Sequence, residues 1–245
     1  MPSNSETGHA KNVANFETLI SYCTGYGATY NPTNAALKLP ALNTLLANAR
    51  AALEAVSTAE AGFKNSVNLR QQLFKPVKPL STKAINALVA AGANASTVAN
   101  ARTIVRKING QRVTGSNQQA AAGTQQTTPA TPKRSSSQQS FDYLIEHFTA
   151  LKDVLEQEPL YTPEEADIKV AAIQTKITEL RGANASLNNA EVVWSNKRID
   201  RDNTLYQPGT GLVDTAQAVK AYVKSVFGGS SPQYKQISAL TIKTL

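Results

Sequence analysis

Apolar residues recur along this chain at steps of three and four, the period of an amphipathic helix. Phe16, Leu19, Ile20 and Cys23, and again Phe141, Leu144, Ile145 and Phe148, predict a first helix at about 10–26 and a counterpart at 139–157. A second helix is expected to open at Tyr30-x-Pro32 and at Tyr161-x-Pro163, with proline suiting the first turn. Glu164, Glu165 and Asp167 would complement the positive end of its dipole. It runs on without punctuation to about Phe74 or Tyr206, some 42 residues or about 63 Å at the helical rise. Leu42, Leu45, Ala49, Ala52, Val56, Ala59 and Phe63 form a stripe of the coiled-coil type along it. Pro40 is placed to bend or delay its start. Pro76 and Pro79, and Pro208-Gly209-Thr210-Gly211, then punctuate the chain ahead of third helices at about 80–91 and 212–227. Fourth helices follow at about 96–108 and from Ser231-Pro232 to near Ala239.

This order of features occurs twice. Aligning Tyr30–Arg70 with Tyr161–Arg201 gives identities at Tyr30, Pro32, Ala35, Lys38, Ala41, Thr44, Arg50, Ala52, Ala59, Glu60, Asn65 and Arg70 without a gap. Phe63 falls opposite Trp194, and alanine-rich helices do not account for the Tyr, Pro, Lys, Arg and Glu matches. Between the copies, residues 114–139 hold no large apolar side chain, so the segment cannot offset its ordering entropy by burial and reads as a flexible connector. The organisation expected is a helical repeat at 1–113, a polar linker at 114–139 and a second helical repeat at 140–245. The expected fold is all-α: an elongated helical bundle of two tandem repeats related by a pseudo-twofold axis, each with one very long helix and three shorter ones. Phe63 and Trp194 should then be buried on the inner faces of the two long helices.

Charge separates the copies. Residues 1–113 carry 12 Lys and Arg against 4 Asp and Glu, while 140–245 carry 11 against 13, within a chain of net charge +8. Lys75, Lys78 and Lys83 gather around the turn before helix three, Arg102, Arg106, Lys107 and Arg112 at helix four and its exit, and Lys133 and Arg134 in the linker. These are the candidate anion-binding residues, since clustered cations attract phosphate-rich partners. No aromatics are interleaved with them, which argues against stacking on single strands. A lone Cys23 cannot form an internal disulfide, and the opening residues do not read as a leader, so a reducing cytoplasm is expected. Nor is there an apolar run long enough for a membrane span.

Catalytic chemistry finds no foothold. Glu6-Thr7-Gly8-His9 has the spacing of a di-iron ligand pair but lacks the second pair and the further carboxylates such a site needs, so it reads as a polar cap or tail. His147 is expected at the solvent boundary and Cys23 in the core. Gly25-Tyr26-Gly27 and Gly209-Thr210-Gly211 lack the context of a phosphate loop and read as helix ends. The expectation is a non-enzymatic structural or protein-interaction protein without cofactor or metal, open to self-association through its basic and acidic halves. The alternative is an anion-binding module for nucleic acid or an anionic surface. Ser5-Glu6-Thr7-Gly8-His9-Ala10-Lys11-Asn12-Val13-Ala14-Asn15-Phe16, Tyr22–Ala28 and Ser231–Lys235 resemble a family of hypothetical proteins from Bacteroidetes bacteria; the resemblance implies a bacterial source and no activity.

Overall fold

The computed structural model describes residues 4–111 and 139–245, with side chains from residue 7 onward. Eight α-helices run in the order α1 (Asn4–Gly25), α2 (Leu39–Phe74), α3 (Val77–Ala90), α4 (Ala95–Asn109), α5 (Phe141–Glu156), α6 (Val170–Tyr206), α7 (Leu212–Phe227) and α8 (Pro232–Ser238). There is no strand among the described residues, so the fold is all-α. No described helix is long and apolar enough to cross a membrane.

The long helices begin later than Tyr-x-Pro. Tyr30 Oη donates to the Leu37 carbonyl at 2.7 Å and Tyr161 Oη to the Ile168 carbonyl at 2.8 Å. Each bond clamps an irregular segment that ends in a short 3₁₀ turn, Ala35–Leu37 or Ala166–Ile168. Only then do α2 and α6 start, giving 36 and 37 residues rather than some 42. Pro40 is thereby the second residue of α2, where its missing N–H costs no helical bond. Glu164, Glu165 and Asp167 precede α6 instead of occupying its first turn, and Asp167 pairs with Lys83 at 2.6 Å. Elsewhere the caps follow the chemistry of the sequence. The hydroxyls of Ser140 and Ser231 accept from the amides of Tyr143 and Tyr234, opening α5 and α8. Gly110 closes α4 in the left-handed region at φ 73°.

The described chain divides into two compact units, 1–64 with 189–245 and 65–188. In the first, α1 packs on α7 and α8. Phe16, Leu19, Cys23, Leu42, Ala49, Leu205, Leu212 and Val219 are among its buried residues. In the second, α5 packs on α3 and α4 around Phe74, Leu88, Ile108, Phe148, Leu151, Ile173 and Leu180. Each unit thus joins the first helix of one sequence copy to the third and fourth helices of the other. The reason lies in the long helix, which separates a copy's first helix from its third and fourth by ten turns that never fold back. The stripe along α2 is buried at Leu42, Ala49 and Val56 and half-buried at Leu45, Ala52, Ala59 and Phe63.

Phe63 and Trp194 meet face to face, ring centroids 5.3 Å apart and planes at 23°, with Arg198 lying 5.3 Å from the Trp194 ring. Both side chains are only half-buried, against the burial expected. Neither residue belongs to a hydrophobic cluster of its unit; the two rings cover one another, and the Arg198 guanidinium lies over Trp194.

Candidate interaction surfaces

The basic residues singled out in the sequence fall in the second unit. α3 and α4 are joined by four residues and pack on one another, forming an antiparallel hairpin whose first and last turns share one end. Lys75 and Lys78 enter that end and Arg106 and Lys107 leave it, all exposed. Arg102 lies one turn back on α4, also exposed. No ion pair reaches Lys75, Lys78, Arg102, Arg106 or Lys107 among the described residues. Lys83 is set apart, because its ammonium is committed to Asp167, whose carboxyl the bond holds below the usual carboxylate range. Arg112, Lys133 and Arg134 lie outside the described residues. Arg106 and Lys107 also sit where cations complement a helix C-terminus, as does Lys75 at the end of α2, but Lys78, in the first turn of α3, draws no such benefit.

Folding also redistributes the charge. The described residues of the unit 65–188 hold 11 Lys and Arg against 9 Asp and Glu, a net +2, and those of the other hold 11 against 8, a net +3. The contrast between a basic and an acidic half of the sequence becomes two units of the same sign.

Isolated titratable groups are structural. Cys23 is fully buried, and burial pushes its thiol up to about 11, a protonated and unreactive state near neutrality. His9, expected in a polar tail, is a buried residue of α1 whose Nδ1 lies 2.6 Å from Tyr206 Oη. His147 is 8% exposed rather than at the solvent boundary, because α5 turns it inward beside Leu144 and Phe148. Burial, with Lys107 nearby, pushes its imidazole below the ordinary histidine value. A cleft of about 390 Å³ beside α5 is lined by Asp142, Glu146, Thr149, Asp153 and Arg181. Asn184 donates to Asp142 at 2.7 Å and Arg181 to Thr149 at 3.4 Å. No histidine or cysteine lines this cleft, and no cluster of metal-ligating side chains occurs among the described residues.

Sequence reasoning missed the outer face of α6. Two residues along a helix turn through 200°, so Val192 points away from Trp194. Ala190, Trp194, Lys197, Arg201 and Leu205 are buried or half-buried. Asn189, Val192, Asn196, Ile199 and Asn203, at alternating steps of three and four, are all exposed. Val192 is 57% and Ile199 55% exposed, with Val193 beside them at 51%. The signal was present as a second heptad stripe, but alternate asparagines hid it from a search for continuous apolar periodicity.

Comparison of the chain with protein-family models, with curated proteins and with solved structures finds no match.

Proposed function

We propose that this is a non-enzymatic interaction protein whose outer α6 face docks another helix, in the first instance α6 of a second copy. The observation that carries the reading is the exposed row Asn189, Val192, Asn196, Ile199 and Asn203. Apolar side chains at heptad spacing form a coiled-coil seam, and asparagine in such a seam fixes register and partner number at a cost in stability. Removing Val192 and Ile199 from water supplies about 25 cal/mol per Å² of apolar area, which suits a reversible complex. The recurrence of the tyrosine clamp and 3₁₀ turn ahead of both long helices supports descent from two diverged copies of one unit. Sedimentation of the parent chain should show a mass that rises with concentration, and Val192→Asp with Ile199→Asp should sharply reduce the rise while leaving helicity unchanged. A parent chain that stays monomeric and retains its cellular partners after both substitutions would overturn the reading.

A second reading, binding of a polyanion, is favoured by the unpaired cations at one end of the α3–α4 hairpin. Retention on heparin should fall when Lys75, Lys78, Arg106 and Lys107 are changed to glutamine and should weaken steeply with salt, as counterion release requires. Unchanged retention removes this reading.

A further inference from the structure

Residues 240–245 follow α8 as an irregular segment, yet residues 240–243 are held at every step. Lys220 Nζ donates to the Leu240 carbonyl at 2.6 Å and Gln217 Nε2 to the Ile242 carbonyl at 3.2 Å. Asn15 Nδ2 donates to the Thr241 carbonyl at 2.7 Å. Asn12 takes both polar groups of Lys243, its Nδ2 donating to the carbonyl at 2.7 Å and its Oδ1 accepting from the amide at 3.2 Å. Carbonyls 240 and 242 therefore face α7 and carbonyls 241 and 243 face α1, the alternation that an extended chain imposes. The donors descend in number as the segment ascends, from 220 to 217 and from 15 to 12, so the segment runs antiparallel to both helices. Ile242 is buried in the core of this unit and Leu240 is partly buried against it. At the far end Leu245 lies over Gly8, where a Cβ would come within 2.5 Å of its Cδ1.

This is a built site for extended chain. Every partner that α1 and α7 contribute is a side chain, and every partner on the segment is main chain, so the hydrogen bonds read backbone as in strand addition. Specificity rests on two apolar positions two residues apart and on the opening that Gly8 leaves. The lysine is half-buried, and burial lowers its affinity for a proton, so its charge is directed at the Leu240 carbonyl in an environment where such a bond is stronger than in water. Yet beyond the Leu240 amide, which donates to the Ile237 carbonyl at 3.2 Å, the segment is tied down only through these contacts, the condition for local opening well below the global unfolding free energy.

We propose that the groove between α1 and α7 is an exchangeable docking site, in which residues 240–245 of a second copy seat in place of the resident segment and two chains thereby form a reciprocal pair. The segment of another copy satisfies every donor and both apolar positions, because it is the sequence already seen to do so. Exchange of an identical element requires no new interface, and the second exchange within a pair is intramolecular. The outer face of α6 plays no part in it.

The test uses two full-length chains, both carrying Val192→Asp and Ile199→Asp so that α6 does not contribute. The receptor chain bears Ile242→Asp, which spoils its segment and leaves its groove. The donor chain bears Asn12→Ala and Lys220→Ala, which spoil its groove and leave its segment. Mixed at about 0.1 mM, below the millimolar local concentration of a tethered segment, they should sediment as a 1:1 complex that neither forms alone. A fluorescent peptide of residues 239–245 should bind the receptor chain at least about ten-fold more tightly than the same background with Ile242 retained, where the resident segment competes. Ile242→Ala replaces Ile242→Asp if the aspartate prevents folding. Chains that remain monomeric when mixed, or a peptide bound equally with and without Ile242, would overturn the proposal.

Discussion

At His147 burial and electrostatics act in the same direction. The imidazole lies beside Leu144 and Phe148 on α5, stacks on Tyr143 at 6.3 Å, and has an Nε2 without a hydrogen-bond partner. Burial and then Lys107 favour its neutral form, lowering the folded-state pKa below 6.5, and Glu146 opposes them more weakly. The unfolded chain therefore binds the proton more readily than the folded one, and linkage gives the sign. The contribution of neutral His147 is fully present above about pH 6.5, the ordinary value, and is lost as pH falls through the window below it. Denaturant unfolding at pH 7.5 and pH 5 should show a loss of stability on acidification that is smaller in His147→Gln than in the parent. An equal loss in both chains would mean that His147 does not titrate across folding. The sequence placed this residue at a boundary because it is flanked by Glu146 and a single histidine carries no periodicity. Its burial is set by α4 and α5 packing together, a contact between the two sequence copies.

At the scale of elements, the helices were legible and their ends less so. α1, α2 and α5 show the period of three and four in the sequence and α8 opens at Ser231-Pro232, while α7 runs over the residues expected of it, Leu212–Phe227. The start of α2 and α6 was misread because the tyrosine clamp is a side-chain bond across seven residues, which periodicity does not register. The stacked pair Phe63 and Trp194 shows the same limit. Repeat alignment placed the two rings at matching positions, but not their half-exposure, since neither ring joins the core cluster of its unit. Complete burial would make truncation cost about 3–5 kcal/mol. A half-buried stacked pair should lose less, about 1–2 kcal/mol for either Phe63→Ala or Trp194→Ala, with a coupling of about 0.5–1.5 kcal/mol in the double-mutant cycle. Trp194 is the only tryptophan, so its emission should lie between the buried and water-exposed limits and shift to longer wavelength in Phe63→Ala. Additive losses in chemical unfolding would show that the ring contact contributes nothing of its own.

At the scale of the whole molecule, the sequence suggested two repeats, while packing draws each compact unit from both of them. α1 has its neighbours α7 and α8 on the far side of residues 114–138 in the chain, and α5 has α3 and α4 on the near side. Phe16, Leu19 and Cys23 share one core with Leu212, Val219 and Val223, and Leu88 and Ile108 share the other with Phe148 and Leu151. Separating residues 1–113 from 140–245 would therefore open both cores at once and expose most of the buried apolar side chains. A leucine or phenylalanine exposed in this way costs about 1.5–3 kcal/mol, far more in sum than the concentration advantage that a covalent tether supplies. Cleavage at a protease site inserted between residues 114 and 138 should accordingly leave two fragments that co-elute on gel filtration with the helicity of the parent. Each fragment expressed alone should fail to show cooperative unfolding, because neither contains a complete core, and mixing the two should restore it. Fragments that part on cleavage and stay folded would mean that each copy closes a core by itself, which the packing of α1 on α7 and of α5 on α4 does not allow.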